Sequence, residues 1–184
     1  SMATFDTMIL GNAGKYYDIV KRGRAFTAGN TASQALSLNS ATATGLILSN
    51  PVTSGVCMVI HSLKVALMTA PAGASTLFWT GTLLTTAEAA TTHTTPLVVK
   101  NCAIGNSTFA ASACKADSAA TVPAPTIIRA IGGGPVAASS ITPPYISDDV
   151  DGALWLCPGT VISVQCLTTA ISAICTAMWE EVPV

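Results

Sequence analysis

The chain has 184 residues, half of them hydrophobic and only 9% charged, with a formal net charge of −1. Ordinary soluble domains carry about 25% charged residues, so Thr, Ser, Ala and Gly must cover most of the surface, a covering that repels neighbours poorly and suits a protein built into an assembly. The length accommodates one domain whose core needs neither disulfides nor metal, and the longest apolar run, Val56 to Met68, is broken by His61, Ser62 and Lys64, well short of the roughly 18 residues of a membrane span.

Residues 1–30 differ from the remainder. Ser1 ahead of Met2 reads as an expression scar, and no basic-then-apolar secretion signal follows it. Lys15, Lys21, Arg22 and Arg24 are half of the eight basic residues, and they stand among Tyr16, Tyr17 and Phe26 with glycines at 11, 14, 23 and 29. The expectation is an extended arm over 1–30 ending in a short strand near Asp18 to Thr27, followed by a single domain over 31–184. Asp148, Asp149, Asp151, Glu180 and Glu181 gather the acids at the opposite end. Basic arm and acidic end could meet between subunits, or each could be a solvated face.

From Thr31 onward the pattern predicts short strands separated by turn residues. Ala32 to Leu38 and Gly45 to Ser49 come first, then the Asn50-Pro51 turn, then the long strand from Val56 to Thr69. Strict alternation along that strand puts Val59, His61, Leu63, Val65 and Leu67 on one mostly apolar face, which makes His61 a core or interface histidine. Ser75 to Thr86 resumes as strand, with Gly81 marking a bulge or a close backbone approach. Ala87 to Pro96, carrying His93, reads as an exposed loop or helical turn, and Leu97 to Lys100 as a short strand. Asn101 to Ala120 has weak periodicity and reads as a long loop packed on a neighbouring subunit. Thr126 to Ile131 is a further strand, Gly132 to Pro135 a loop, and Pro143-Pro144-Tyr145 an extended tract.

The last stretch, Asp149 to Val184, is the clearest folding signal: an apolar run, the Pro158-Gly159 turn, a strand, a small Thr/Ala/Ser connection and a second strand through Trp179. It predicts a closing hairpin. In all, roughly eight or nine strands with no helix are expected, which makes the fold all-β, an antiparallel β-sandwich of jelly-roll type with an extended N-terminal arm.

Chemistry is hard to find. Gly11 to Lys15 lacks the glycine spacing and the Ser or Thr of a phosphate loop, and Gly132 to Pro135 has no nucleophile elbow to serve. His93 has no acidic partner near it in sequence. Asp148, Asp149 and Asp151 offer hard oxygens for calcium but lack a ligand at the far end of the loop. Glu180 and Glu181 point to opposite faces of a strand, so they make no glycosidase pair. None of the six cysteines forms a C-x-x-C pair, and no zinc pattern arises. Cys57, Cys157, Cys166 and Cys175 read as small apolar residues of the core or an interface, while Cys102 and Cys114 could bridge under oxidation. No catalytic residue, cofactor or metal is expected. Four basic residues on a slightly acidic chain are a small footprint for phosphates, which argues against direct nucleic-acid binding.

Two segments carry a resemblance. The pattern PGT-x-ISVQ followed by A-x-x-A-x-x-TAMWEEVPV, Pro158 to Gln165 and Ala170 to Val184, resembles the closing hairpin of small all-β virion proteins of tailed bacteriophages. ILSNP-x-x-SGV, Ile47 to Val56, is similar to the opening of the same class. The resemblance implies a non-enzymatic capsid decoration or cement protein, a homo-oligomer and most often a trimer, bound to the major capsid lattice of a virion assembled in the bacterial cytoplasm. The alternative is a tail, fibre or glycan-binding module that stacks sugars on Trp79, Tyr145 or Trp155. Candidate interface residues are Lys15, Tyr16, Tyr17, Lys21, Arg22, Arg24, Trp179, Glu180 and Glu181.

Overall fold

The structure, a computed structural model, describes residues 14–69, 71–134 and 145–184. The arm over residues 1–13 and the Pro143-Pro144 tract fall outside these. Among the described residues the chain forms thirteen strands and one five-residue helix. The first sheet contains β1 (Ala25–Gly29), β2 (Gln34–Ala35), β4 (Val56–Leu67), β7 (Lys100–Asn101), β10 (Tyr145–Asp148), β11 (Leu154–Leu156) and β13 (Ser172–Pro183). Its order is β10-β4-β13-β1-β7, with β11 also on β4 and β2 also on β13. The second sheet runs β6-β8-β3-β12-β5-β9, from β3 (Thr42–Ser49), β5 (Ser75–Gly81), β6 (Thr92–Leu97), β8 (Lys115–Thr121), β9 (Thr126–Gly134) and β12 (Val161–Leu167). Every strand pair is antiparallel, and the two sheets face each other as a sandwich.

Period-two alternation explains the core. Leu46 and Leu48 of β3, Leu77 and Trp79 of β5, and Ile162, Val164 and Cys166 of β12 meet Leu63 and Val65 of β4 and Cys175, Ala177 and Trp179 of β13 in one buried cluster. The opposite face of β12 is buried as well. Ala87, from the turn after β5, packs with Ile47, Val161, Ala120 and Val122 in a second cluster. That turn is seated against Gly159, at φ +90°, where a Cβ would lie 1.8 Å from the Thr85 carbonyl oxygen; no other residue fits there.

Several expectations need correction. The basic segment opens with a helical turn, α1 (Tyr17–Lys21), and only then enters β1, an interior strand between β13 and β7. A strand before residue 30 is expected from the sequence, and β1 is built into the first sheet. Of Ala32 to Leu38 only Gln34–Ala35 and an isolated bridge from Leu38 to Cys166 pair. The strand read through Thr86 ends at Gly81, whose missing side chain lets the Val161 carbonyl approach, as a Cβ there would meet it at 2.9 Å. Lys115–Thr121, read as loop, is β8, an interior strand between β6 and β3. It is buried on both faces and built from Ala, Asp and Ser, so it shows neither alternation nor β-branched enrichment. Thr92–Leu97, also read as loop, is the edge strand β6, and its Pro96 is tolerated because an edge strand need not donate on its outer side.

The closing hairpin does not form as a hairpin. β12 and β13 lie in different sheets, and the connection between them turns at Thr168, which adopts φ +73°. Both strands are apolar toward the same core, so the chain arches across it instead of pairing with itself. On β4 the pairing with β13 slips between Met178 and Trp179, which oppose Ser62 and Ile60. His61 is the extra residue of this bulge. Before it Met58 and Ile60 face the core; after it Leu63 and Val65 do. The bulge therefore moves His61 from the expected apolar face to the outer face. Cys157, expected in the core or an interface, is exposed, while Cys57, Cys166 and Cys175 are buried, and all six thiols are free.

Candidate functional site

Of the nine expected interface residues, Lys15, Tyr16, Tyr17 and Lys21 line one open hollow of about 670 Å³, closed on its far side by Phe109 of the β7–β8 loop. Local chemistry holds this wall. The Lys15 ammonium pairs with Asp151, and Tyr16 Oη donates to the same carboxylate at 3.1 Å. The Lys15 hydrogen bond holds the Asp151 carboxyl below its ordinary value and raises the Lys15 ammonium. The Tyr16 ring lies 5.3 Å from the His61 ring, and His61 Nε2 stands 3.4 Å from Glu180 Oε2. Lys21 Nζ sits 5.6 Å from the Tyr17 ring centre, close enough for a cation–π contact. Phe109 lies over Gly23, where a Cβ would meet its ring at 2.5 Å.

Basic segment and acidic carboxyl end thus meet within one chain, through Lys15 with Asp151 and, at one remove, Tyr16, His61 and Glu180. The other candidates lie elsewhere. Arg22 pairs with Asp18 on its own helical turn at 3.0 Å, and the Arg24 carbonyl accepts the Glu181 N–H. Trp179 is fully buried, and so is most of Glu181, whose carboxyl oxygens accept from Ser112 Oγ, the Ala113 N–H at 3.0 Å, the Cys114 N–H at 3.3 Å and Trp179 Nε1 at 3.3 Å. Glu181 thus fastens the β7–β8 loop to the sandwich from inside, and the Trp179 indole bonds to the same carboxylate.

The Asp148 to Asp151 loop does not gather its carboxylates. Asp148 turns inward to Trp79 Nε1 at 3.0 Å and to Arg129 at 2.9 and 3.0 Å, while Asp149 pairs with Lys64 at 3.1 Å and Asp151 with Lys15. No group of three or more His, Cys, Asp or Glu converges on a metal-sized site among the described residues. Trp79 is fully buried and cannot serve as a stacking platform, whereas Trp155 is exposed.

One cluster escaped the sequence reading. His93 Nδ1 lies 2.7 Å from Asp117 Oδ2 and His93 Nε2 lies 3.5 Å from Glu88 Oε1, while Lys115 Nζ reaches Glu88 at 2.8 Å. His93, Lys115 and Asp117 line a hollow of about 330 Å³ with Pro96 and Leu97. An Asp–His pair is the base and orienter of a nucleophilic triad, but His93 Nε2 has no hydroxyl or thiol bonded to it among the described residues. What the cluster does is tie the turn after β5 to β6 and β8. A signal for it existed: Lys115 and Asp117 are spaced by two in a run of small residues, which places both on one face of a strand.

Burial raises the Glu88 carboxyl, but hydrogen bonding and charge from Lys115 and then from His93 together outweigh it, so the net shift is downward from 4.5. A lowered carboxylate adds stability above its unfolded pKa and loses it as pH falls through the folded one. The difference in urea midpoint between wild type and Lys115→Met should therefore be full near about pH 6 and shrink below 4.5. A difference independent of pH would show that the pair contributes nothing.

Against known proteins, the chain matches no protein-family model, no curated protein and no solved structure.

Proposed function

We propose that the chain is a non-enzymatic structural protein of a bacteriophage virion, a capsid decoration or cement protein acting as a homotrimer on the major capsid lattice. The observation that carries this reading is the exterior. Leu83, Val98 and Ile104 are 84%, 73% and 95% exposed on a chain only 9% charged. Single exposed aliphatics are ordinary; here some of them cluster. Thr82 Oγ1 donates to the Pro123 carbonyl at 3.1 Å, so exposed Leu83 and Leu84 flank the same end of the β5·β9 pair as exposed Ile127 and Ile128. β9 also ends the second sheet's order, with no strand on its outer edge among the described residues. An apolar, open edge is a surface for another subunit. The jelly-roll reading is supported by the crossing of consecutive strands between sheets, β3 to β4 to β5 and β12 to β13.

Co-sedimentation with phage heads stripped of accessory proteins tests the reading. Saturable, stoichiometric pelleting is expected, weakened roughly tenfold or more by Ile127→Lys with Ile128→Lys if the β9 end is the contact. Pelleting no greater than that of an unrelated protein would contradict it. A second reading, a tail or fibre module that binds glycans, is favoured by Trp155, a residue 59% exposed. Glycan-array binding abolished by Trp155→Ala would select it.

A further inference from the structure

Cys57 is the second residue of β4 and Cys157 follows β11, directly after the rung where Leu156 faces Met58. The two cysteines are therefore the next cross-strand pair of an antiparallel ladder, where Cβ atoms stand about 4.5–5.5 Å apart. Their sulfurs are 3.9 Å apart, and no bond joins them.

The backbone on both sides is held in place. Asn50, fully buried, donates its side-chain amide to the carbonyls of Val56 and Leu156, each at 2.8 Å. These are the residues just before the two cysteines. The Gly159 N–H donates to the Asn50 carbonyl at 2.7 Å, the Asn50 N–H donates to the Thr160 carbonyl at 2.9 Å, and Thr160 Oγ1 closes the turn on the Cys157 carbonyl at 2.6 Å. Cys157 is exposed and Cys57 buried beside it, the arrangement of an attacking thiol with a resolving partner.

We propose that Cys57 and Cys157 form a reversible intramolecular disulfide by exchange with a small-molecule disulfide, fastening β11 and its turn to β4. The Cys157 thiolate attacks one sulfur of the reagent and expels its other half as a thiolate, leaving a mixed disulfide. Cys57, as thiolate, then attacks the Cys157 sulfur and expels the second half. The protein loses two electrons and two protons, and the reagent disulfide becomes two thiols. Burial and the Cys157 hydrogen bond raise the Cys57 thiol, so the second step is the slower and should speed up with pH. Cys114, also near Cys57, competes poorly: burial and the adjacent Glu181 carboxyl hold its thiol far above the ordinary range. The bridge closes a long loop of the unfolded chain, the case in which a cross-link constrains it most.

The test treats the folded protein with oxidised glutathione and maps its peptides by mass spectrometry. A single Cys57–Cys157 linkage, two thiols fewer by titration, and a melting temperature higher by roughly 5–15 °C that returns to the start with reductant are expected. Cys57→Ser should stop at one glutathione adduct on Cys157. Six titratable thiols after treatment, a wild type that stops at the adduct, or a linkage through another pair would each overturn the proposal. Wild-type mapping needs no variant to fold, so the result stands apart from any destabilisation by substitution.

Discussion

Glu181→Ala is expected to lower the unfolding free energy by about 3–5 kcal/mol, read from urea denaturation followed by tryptophan fluorescence. The carboxyl group is buried and gathers four donors, from Ser112, Ala113, Cys114 and Trp179. Removing it leaves the donors of a buried indole and of the Ala113 amide short of acceptors, while the Cys114 amide keeps Ser112 Oγ at 3.1 Å; each unsatisfied donor costs about 1–3 kcal/mol. The β7–β8 loop then loses its anchor to the last strand. Glu181→Gln keeps one acceptor oxygen and should cost less than Glu181→Ala. Equal losses for the two would mean that packing, not the hydrogen bonds, sets the cost.

Asp148→Ala should rank second, at about 2–4 kcal/mol. Asp148 lies on β10 in the first sheet, and its carboxylate accepts from Trp79 on β5 and Arg129 on β9 in the second. It is a polar tie between the layers at the rim of an otherwise apolar core. The Arg129 partner is more exposed than Asp148, so most of the loss comes from the stranded Trp79 indole rather than from the ion pair. Arg129→Met should accordingly cost less than Asp148→Ala, and the reverse order would contradict this division.

The strongly apolar strands were legible because their residues alternate and turn signals bound them: β4, the start of β5 and the pair β12 and β13 stand close to where the pattern puts them. What the pattern could not show was which strands share a sheet. β12 and β13 are adjacent in sequence and similar in character, yet each is apolar toward a core between two sheets, and an arch satisfies both faces as well as a hairpin would. The His61 bulge was hidden for a related reason. One extra residue inverts the alternation after it, and Cys57 to Ile60, just before the bulge, is apolar on both faces and so masks the change. β8 was missed because Ala116, Ser118 and Ala120 fill narrow space between neighbours, where small size matters more than strand propensity.

The candidate site was legible in part. Charge clustering with aromatics brought out Lys15, Tyr16, Tyr17 and Lys21, and these do share one hollow. Trp179 and Glu181 were singled out as surface residues of the acidic end, but alternation along β13 turns both inward, where Glu181 holds the loop. The Glu88, His93, Lys115 and Asp117 cluster joins three elements separated in sequence, so only the fold brings it together.

Light scattering coupled to gel filtration tests the central claim most directly. The proposed assembly protein, with a sparsely charged exterior and an apolar open edge, should elute at three times the mass of the chain, and Ile127→Lys with Ile128→Lys should lower that mass. A strict monomer at every concentration, unchanged by these substitutions, would contradict the account.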